Sequence, residues 1–347
     1  MIVMYGATGY TGQLVLDECL AQGVRPLLVG RDASAVRALA IRHGLDWRAA
    51  ALDDACALDD ALAGAALVIH CAGPFSRTSR PMADACLRLH VHYLDITGEI
   101  AVFEALAARD TEARAVGVML LPGVGFDVVP SDCLAAHLKR RLPSATALTL
   151  AFYGGSGLSR GTATTMAENA GSPGAVRRDG RIVPVPPAWR TRVVNFGEKA
   201  LLTVTIPWGD VSTAYHSTGI PNIEVYAAAP PSAVRSLRLS RYLGPILRTP
   251  WVRARLVAAI RRRPPGPSAE ARAHSSAFLF GEVRDDAGRS AVSRLRTLDG
   301  YSLTAKTAVR AAQAAIGGKA IPGFQTPSRV FGADFILSIP GSTRTDD

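Results

Sequence analysis

"MYGATGYTGQLV", Met4–Val15, sets Gly6, Gly9 and Gly12 three residues apart. Apolar Ile2 and Val3 precede it, and Leu14, Val15 and Leu16 follow. Glycine lacks a Cβ, so Gly6 can turn sharply out of a strand. Gly9 lets backbone N–H groups approach a bound pyrophosphate, and Gly12 lets a helix pack close to the strand. The first turn of that helix offers free N–H groups and a dipole of about half a unit charge to phosphate oxygens. The spacing therefore predicts a dinucleotide phosphate site. Without a ligand, the same stretch is a tight strand–helix turn.

The context favours the ligand. Through residue 130 short apolar runs alternate with helical spacing: "MIVMY", "VRPLLVGR", "WRAAALD", "ALVIHCAGP", "VHYLDITG" and "VMLLPGVG" read as strands separated by helices. Such alternation predicts βαβ units and a parallel, doubly wound sheet. After residue 145 the strand-like runs are separated by longer, irregular stretches, as expected of a mixed α/β domain. A further amphipathic helix is expected in "SLTAKTAVRAAQAAIGG", and "STRTDD" at the end is expected to fray. The expected organisation is a Rossmann domain at 1–130 followed by a substrate and dimerisation domain at 131–299. A helical, Arg-rich insertion is expected at about 232–263.

Composition narrows the class. The 347 residues carry a net charge of +10, with 48% hydrophobic and 20% charged residues, which fits a globular protein of two domains. No apolar run reaches the roughly 18 residues of a membrane span. There is no signal-peptide pattern, and the five scattered cysteines form no CxxC pair. The expectation is a cytoplasmic chain with reduced thiols and no metal.

Strand ends supply the remaining candidates. Arg31 closes "LLVGR", where an acidic residue would hold the ribose 2′-hydroxyl of NAD and an arginine suits the 2′-phosphate of NADP. NADP is therefore expected, with NAD as the alternative; Asp32, the next residue, or Ser34 is the expected cap of the following helix. Asp53 ends the third strand and either accepts from the adenine amino group or caps a helix. "HCAGPF" brings the small residues Cys71, Ala72 and Gly73, and stiff Pro74, to the edge where a cofactor crosses the sheet; Cys71 itself reads as a core thiol.

Together "GATGYTG" (6–12), "VGR" (29–31), "CAGPF" (71–75), "YLDITGE" (93–99), "GVGFDVVPSD" (123–132) and "DGYSLTAKTAVRAA" (299–312) resemble the saccharopine dehydrogenase-like oxidoreductases. The branch they resemble includes bacterial trans-acting enoyl reductases. The resemblance implies NAD(P) binding at Gly6, Ala7, Thr8, Gly9, Tyr10, Thr11, Gly12 and Arg31, and a C-terminal helix returning to the first domain, with residues of about 300–330 packing back on it. The set of basic groups that would bind an amino-diacid is not matched. The expected activity is reduction of a C=C bond in a hydrophobic, polyketide-like enoyl substrate. The alternatives are C–N chemistry on an amino-acid adduct, and a regulator that binds NADP without hydride transfer.

No catalytic acid is assigned. Candidates are His90, His92, Asp95, Thr97 and Glu99 in "HVHYLDITGE", expected at a strand end facing the crevice, and Asp127, Ser131 and Asp132 in "GFDVVPSD". Tyr215 and His216 are expected on a polar loop. "SGLSRGTATTMAENA" (156–170) is either an oxyanion site at a helix start or a well-capped helix. Arg235–Arg263 reads either as an amphipathic cover helix or as a surface for an acidic carrier protein or a membrane. No nucleic-acid motif is found, and a homodimer is compatible with the sequence.

Overall fold

The computed structural model describes every residue except Ala170 and Arg248, together with the side chains of Leu243, Gly244, Pro245 and Leu247. The chain divides into two compact units, residues 1–129 with 301–332, and residues 130–300 with 333–347.

In the first unit the chain runs β1 (Ile2–Tyr5), α1 (Tyr10–Ala21), β2 (Leu27–Gly30), α2 (Ala33–His43), β3 (Trp47–Ala49), α3 (Ala55–Leu62), β4 (Leu67–His70), α4 (Phe75–Arg88), β5 (His92–Asp95), α5 (Ile100–Ala107), α6 (Asp110–Ala115) and β6 (Met119–Leu121). α7 (Val129–Arg141) leads out of it.

Five of the six strands are buried along their length or nearly so, as in a parallel sheet covered on both faces; β3 is the edge. All are parallel. With a seventh strand, β15 (Gly323–Phe324), the sheet order is β15-β6-β5-β4-β1-β2-β3, so the direction of winding reverses between β1 and β4. Residues from the C-terminal part complete the unit, as developed below.

The second unit contains β7 (Ala147–Gly154), α8 (Arg160–Glu168), β8 (Gly174–Arg178), β9 (Arg181–Val185), β10 (Thr191–Asn195), β11 (Ala200–Thr205), α9 (Asp210–Thr218), β12 (Asn222–Ala228), α10 (Pro231–Leu247), α11 (Pro250–Arg261), α12 (Ala269–Ala273), β13 (Ser276–Arg284) and β14 (Ser290–Leu298). α13 (Gly300–Ala314), β15 (Gly323–Phe324) and α14 (Pro327–Phe331) then belong largely to the first unit, and β16 (Thr343–Asp346) returns to the second. The second sheet is mixed, in the order β10-β11-β12-β7-β13-β14-β16 with the β8–β9 hairpin beside β12.

Several expectations need correction. The C-terminus is not frayed: β16 pairs with β14, the Asp346 carboxylate accepts from Ser293 Oγ at 2.6 Å, and His137 Nε2 lies 2.9 Å from it. Tyr215 and His216 lie on helix α9, stopped by left-handed Gly219 (φ +70°), not on a loop. The Arg-rich segment is two helices, broken where Pro250 starts the second. Among the described residues no helix is long and apolar enough to cross a membrane.

Candidate functional site

The glycine turn is set by steric demand. Gly6 has φ +88°, a left-handed conformation, and a Cβ there would lie 2.8 Å from Ala72 Cβ on the far side of the winding reversal. A Cβ on Gly12 would lie 2.3 Å from the Gly6 carbonyl oxygen, so the start of α1 sits hard against the turn. Gly9 differs. A Cβ there would meet only the Gly6 oxygen, at an ordinary 3.5 Å. The protein's own packing leaves that volume open, and it lies over the start of α1.

No side chain caps this helix from Gly9 and no acidic residue stands in its first turn, so neither its cap nor its own first turn supplies an anion to its positive end. These features fit a dinucleotide pyrophosphate. Ala7 is buried in the turn, Thr8 is exposed and its carbonyl accepts from Gln13 Nε2 at 3.2 Å, and Thr11 is half-buried. Tyr10 meets Tyr301 edge-on, with ring centroids 5.2 Å apart.

At the neighbouring strand ends, Asp32 caps α2 and its carboxylate accepts from Ala35 N–H at 3.0 Å and Ser34 Oγ at 2.9 Å. Those bonds hold its carboxyl below the usual range. Asp32 is thereby occupied, whereas Arg31 is exposed and, among the described residues, makes no hydrogen bond or ion pair. Asp54, not Asp53, caps α3, accepting from Ala57 N–H at 3.0 Å; Asp53 stays exposed. Burial pushes the Tyr5 hydroxyl upward, with the charge of Arg31 acting against that shift and the charge of Asp53 adding to it.

After β4, Cys71 N–H donates to the Tyr5 carbonyl at 2.8 Å, Thr78 Oγ1 donates to the Ala72 carbonyl at 2.7 Å, and the Gly73–Pro74 bond is cis. Burial pushes the Cys71 thiol up, so it stays a thiol. Glu99 reaches back from β5 to accept from Phe75 N–H at 2.8 Å and Ser76 N–H at 3.2 Å. It caps α4 rather than its own helix.

β5 sorts the remaining candidates. Its amino end carries His90, whose Nδ1 is 3.0 Å from the Val116 carbonyl, and His92, which accepts from Met119 N–H at 3.1 Å. Both lie at the opposite end of the strand from the crevice, correcting their expected placement. Its carboxyl end carries Asp95, buried and raised to about 6 by burial, against donation from Tyr93 Oη (2.5 Å), Thr97 N–H (3.0 Å) and Gly123 N–H (2.8 Å). Asp95 fastens the exit of β6 to that of β5.

The chain then passes to Asp127, which packs on Gly98: a Cβ there would come within 2.6 Å of Asp127 Oδ2. Burial raises the Asp127 carboxyl to about 7, and among the described residues it makes no hydrogen bond. α13 holds this loop. Thr304 Oγ1 accepts from Phe126 N–H at 2.9 Å, Thr307 Oγ1 donates to the Val124 carbonyl at 2.7 Å, and Gly125 leaves room for Thr304.

The sequence reading passed over His70. It is fully buried among the rings of Tyr5, Phe75 and Tyr93, with neither ring nitrogen hydrogen-bonded, and burial lowers it to about 3. It is a neutral ring beneath the β4 exit. Only its position between Ile69 and Cys71 could have flagged it.

In the second unit Ser131 and Asp132 are buried near the start of α7, and Ser217 Oγ donates to Asp132. Tyr215 lies beneath Arg177, 4.3 Å from ring centroid to guanidinium carbon. The start of α8 is capped by Ser159, whose Oγ accepts from Thr162 N–H at 3.2 Å, which favours the capped-helix reading of 156–170.

Comparison with known proteins agrees with the first unit. Residues 2–121 match the family described as Saccharopine dehydrogenase NADP binding domain. The chain is similar to the trans-acting enoyl reductase of Mycobacterium leprae, 34% identical over 149 residues, covering 41% of this chain and 36% of that one. It is also similar to that of Mycobacterium tuberculosis, 30% identical over 148 residues, covering 40% and 35%. The matched stretch thus spans about a third of the length of these relatives.

In fold, the chain resembles apo saccharopine dehydrogenase (L-Glu forming) of Saccharomyces cerevisiae, with TM-score 0.67, 13% identity, and 100% and 99% of the two chains covered. It also resembles a homospermidine synthase of Legionella pneumophila solved with NAD, with TM-score 0.62, 10% identity, and 99% and 91% covered.

Proposed function

With residues 2–121 a saccharopine dehydrogenase NADP-binding domain, we propose that the chain is an NADPH-dependent oxidoreductase reducing the C=C bond of a hydrophobic enoyl substrate. The observation that carries this reading is Asp127, a carboxyl raised to about 7 at the exit of β6, beside the carboxyl ends of the strands where ligands of such sheets bind. The name of the mycobacterial relatives supports the enoyl class, and "trans-acting" supports an acyl group delivered on a separate carrier protein.

In this reading Gly6, Gly9 and Gly12 shape the turn, and the α1 start binds the pyrophosphate through backbone N–H groups. Arg31 takes the 2′-phosphate, and Asp53 stands beside it at the adenosine end. Cys71–Pro74 form the small, stiff edge across which the cofactor runs. Bound NADPH supplies a hydride to one carbon of the double bond. Asp127 holds the proton for the other carbon on its carboxyl oxygen, near the pH at which it both keeps and releases it. Asp95, Gly98 and Thr304 fix that carboxyl in place, so little reorganisation accompanies proton transfer.

The test is NADPH oxidation with enoyl thioesters, imines and 2-oxo acids in parallel. Enoyl substrates alone should be turned over, and Asp127→Asn should lower turnover by about 10²–10⁴-fold with NADPH binding retained. Tight NADPH binding with no turnover of any of the three classes would instead support a regulator.

A further inference from the structure

We propose that α10 and α11, with the neighbouring side of α8, form a docking surface for an anionic lipid bilayer. Between Glu224 and Glu270 the chain has nine arginines and no acidic residue. A helix that merely covers its own domain turns its large apolar residues inward. Here Val234 and Ile260 do turn inward, but several large apolar residues do not. Leu239, Tyr242 and Ile246 recur at i, i+3 and i+7 on α10, so they share one face, and they are 61%, 82% and 55% exposed. Trp251 on α11 is 63% exposed, with the Arg255 guanidinium carbon 5.8 Å from its ring centroid.

What holds the helices to the unit is separate from this face. Arg241 donates to the Pro187 carbonyl at 2.7 Å and the Ala188 carbonyl at 2.8 Å, and Ile260 packs on Ala163 and Ala167 of α8. α8 adds Met166, 59% exposed, and the turn before it adds Leu158, 55% exposed. Leu158, Met166, Leu256 and Ile260 line an open apolar cleft of about 260 Å³ with Arg263 at its rim.

Exposed Trp, Tyr, Leu and Ile set among arginines match a bilayer interface, where apolar tips enter the acyl boundary and guanidinium groups meet lipid phosphates. Without an acidic residue the segment offers no repulsion to those phosphates. An acidic protein would engage the charge but leaves the outward aromatic and aliphatic side chains unexplained. The inference is independent of the NADPH reading, since its readout is partition rather than turnover.

The test is co-sedimentation of the full chain with vesicles of phosphatidylcholine containing phosphatidylglycerol, and with phosphatidylcholine alone. Binding should require the anionic lipid and weaken as salt rises, since such attraction is screened over about 8 Å at physiological ionic strength. Neutralising Arg261, Arg262 and Arg263 to Gln should lower partition on the order of a hundredfold, at about fivefold per charge. Tyr242→Ser with Trp251→Ser should lower it at every salt concentration.

These side chains are exposed, so unchanged thermal melting should accompany the loss. In the unmutated chain, bromolipid quenching of tryptophan emission that disappears in Trp251→Phe reports insertion without relying on a weakened variant. A wild-type chain that stays in the supernatant with anionic vesicles at low salt overturns the proposal. So does a double Tyr/Trp variant that sediments like the wild type, or binding to an acidic protein in place of vesicles.

Discussion

Replacing Asp127 with Asn tests the environment of that carboxyl without needing a substrate. The folded chain holds it at about 7, against 3.8 for a free aspartate. Between these values the folded chain keeps a proton that the unfolded chain has released. Stability is therefore full below about pH 4, falls as pH rises towards 7, and is level above. Each pH unit in that window costs about 1.4 kcal/mol, so about three units set a ceiling of ~4 kcal/mol. The side chain is half-buried, and water reaching it roughly halves the figure, to ~2 kcal/mol.

Asn has similar shape and no titration, so the variant should escape the fall. Urea unfolding of both proteins at about pH 5 and about pH 8 crosses about two of those three units, so the variant should gain ~1.4 kcal/mol on the wild type between the two. Asp95, raised to about 6, titrates in both proteins and cancels in the difference. A gap that stays constant across pH would refute the argument and remove Asp127 as a proton donor near neutrality.

Gly9→Val places a branched side chain in the volume left open over the start of α1; NADPH binding, measured by fluorescence titration, should fall by several kcal/mol while melting stays near wild type. Gly12→Ala does the opposite. Its Cβ falls 2.3 Å from the Gly6 oxygen, so the melting temperature should drop with a cost of about 1–3 kcal/mol even without nucleotide. Arg31→Ala should weaken NADPH by about 1.5–3 kcal/mol, the value of a hydrogen bond to a charged group, and leave NADH nearly unchanged. Equal losses for both nucleotides would tie Arg31 to the turn instead.

The six N-terminal strands of the first sheet are legible in sequence because each is local, whereas β15, two residues pairing with β6 from far along the chain, is not. A buried parallel strand is a short apolar run, its exit carries a glycine or a cap, and the next helix declares its period. The second sheet lacks these signals. β9 is exposed or half-buried along its length without regular alternation and contains Pro184, and its pairing with β8 follows from the turn at Asp179 and Gly180 rather than from apolar periodicity. β16 is polar throughout and is held by groups far off in the chain, Ser293 and His137, so nothing in "STRTDD" announces a strand.

The same division runs through the candidate site. The glycine turn, Arg31 and the β4 exit are read from neighbours in sequence. Asp127 is not, because what changes it is spatial: Gly98 opens the volume it fills, Thr304 braces the loop from 177 residues further along, and burial then raises its pKa towards neutrality. Glu99 makes the same point in reverse. In sequence it stands where it would cap α5, yet its carboxylate crosses to the start of α4, because two unsatisfied N–H groups there bind a charged acceptor more strongly than water does. A carboxylate consumed by a cap cannot also serve as a proton donor. Of the two acids that flank Gly98, Glu99 is held by the N–H groups of α4, and Asp127 is therefore the one proposed as proton donor.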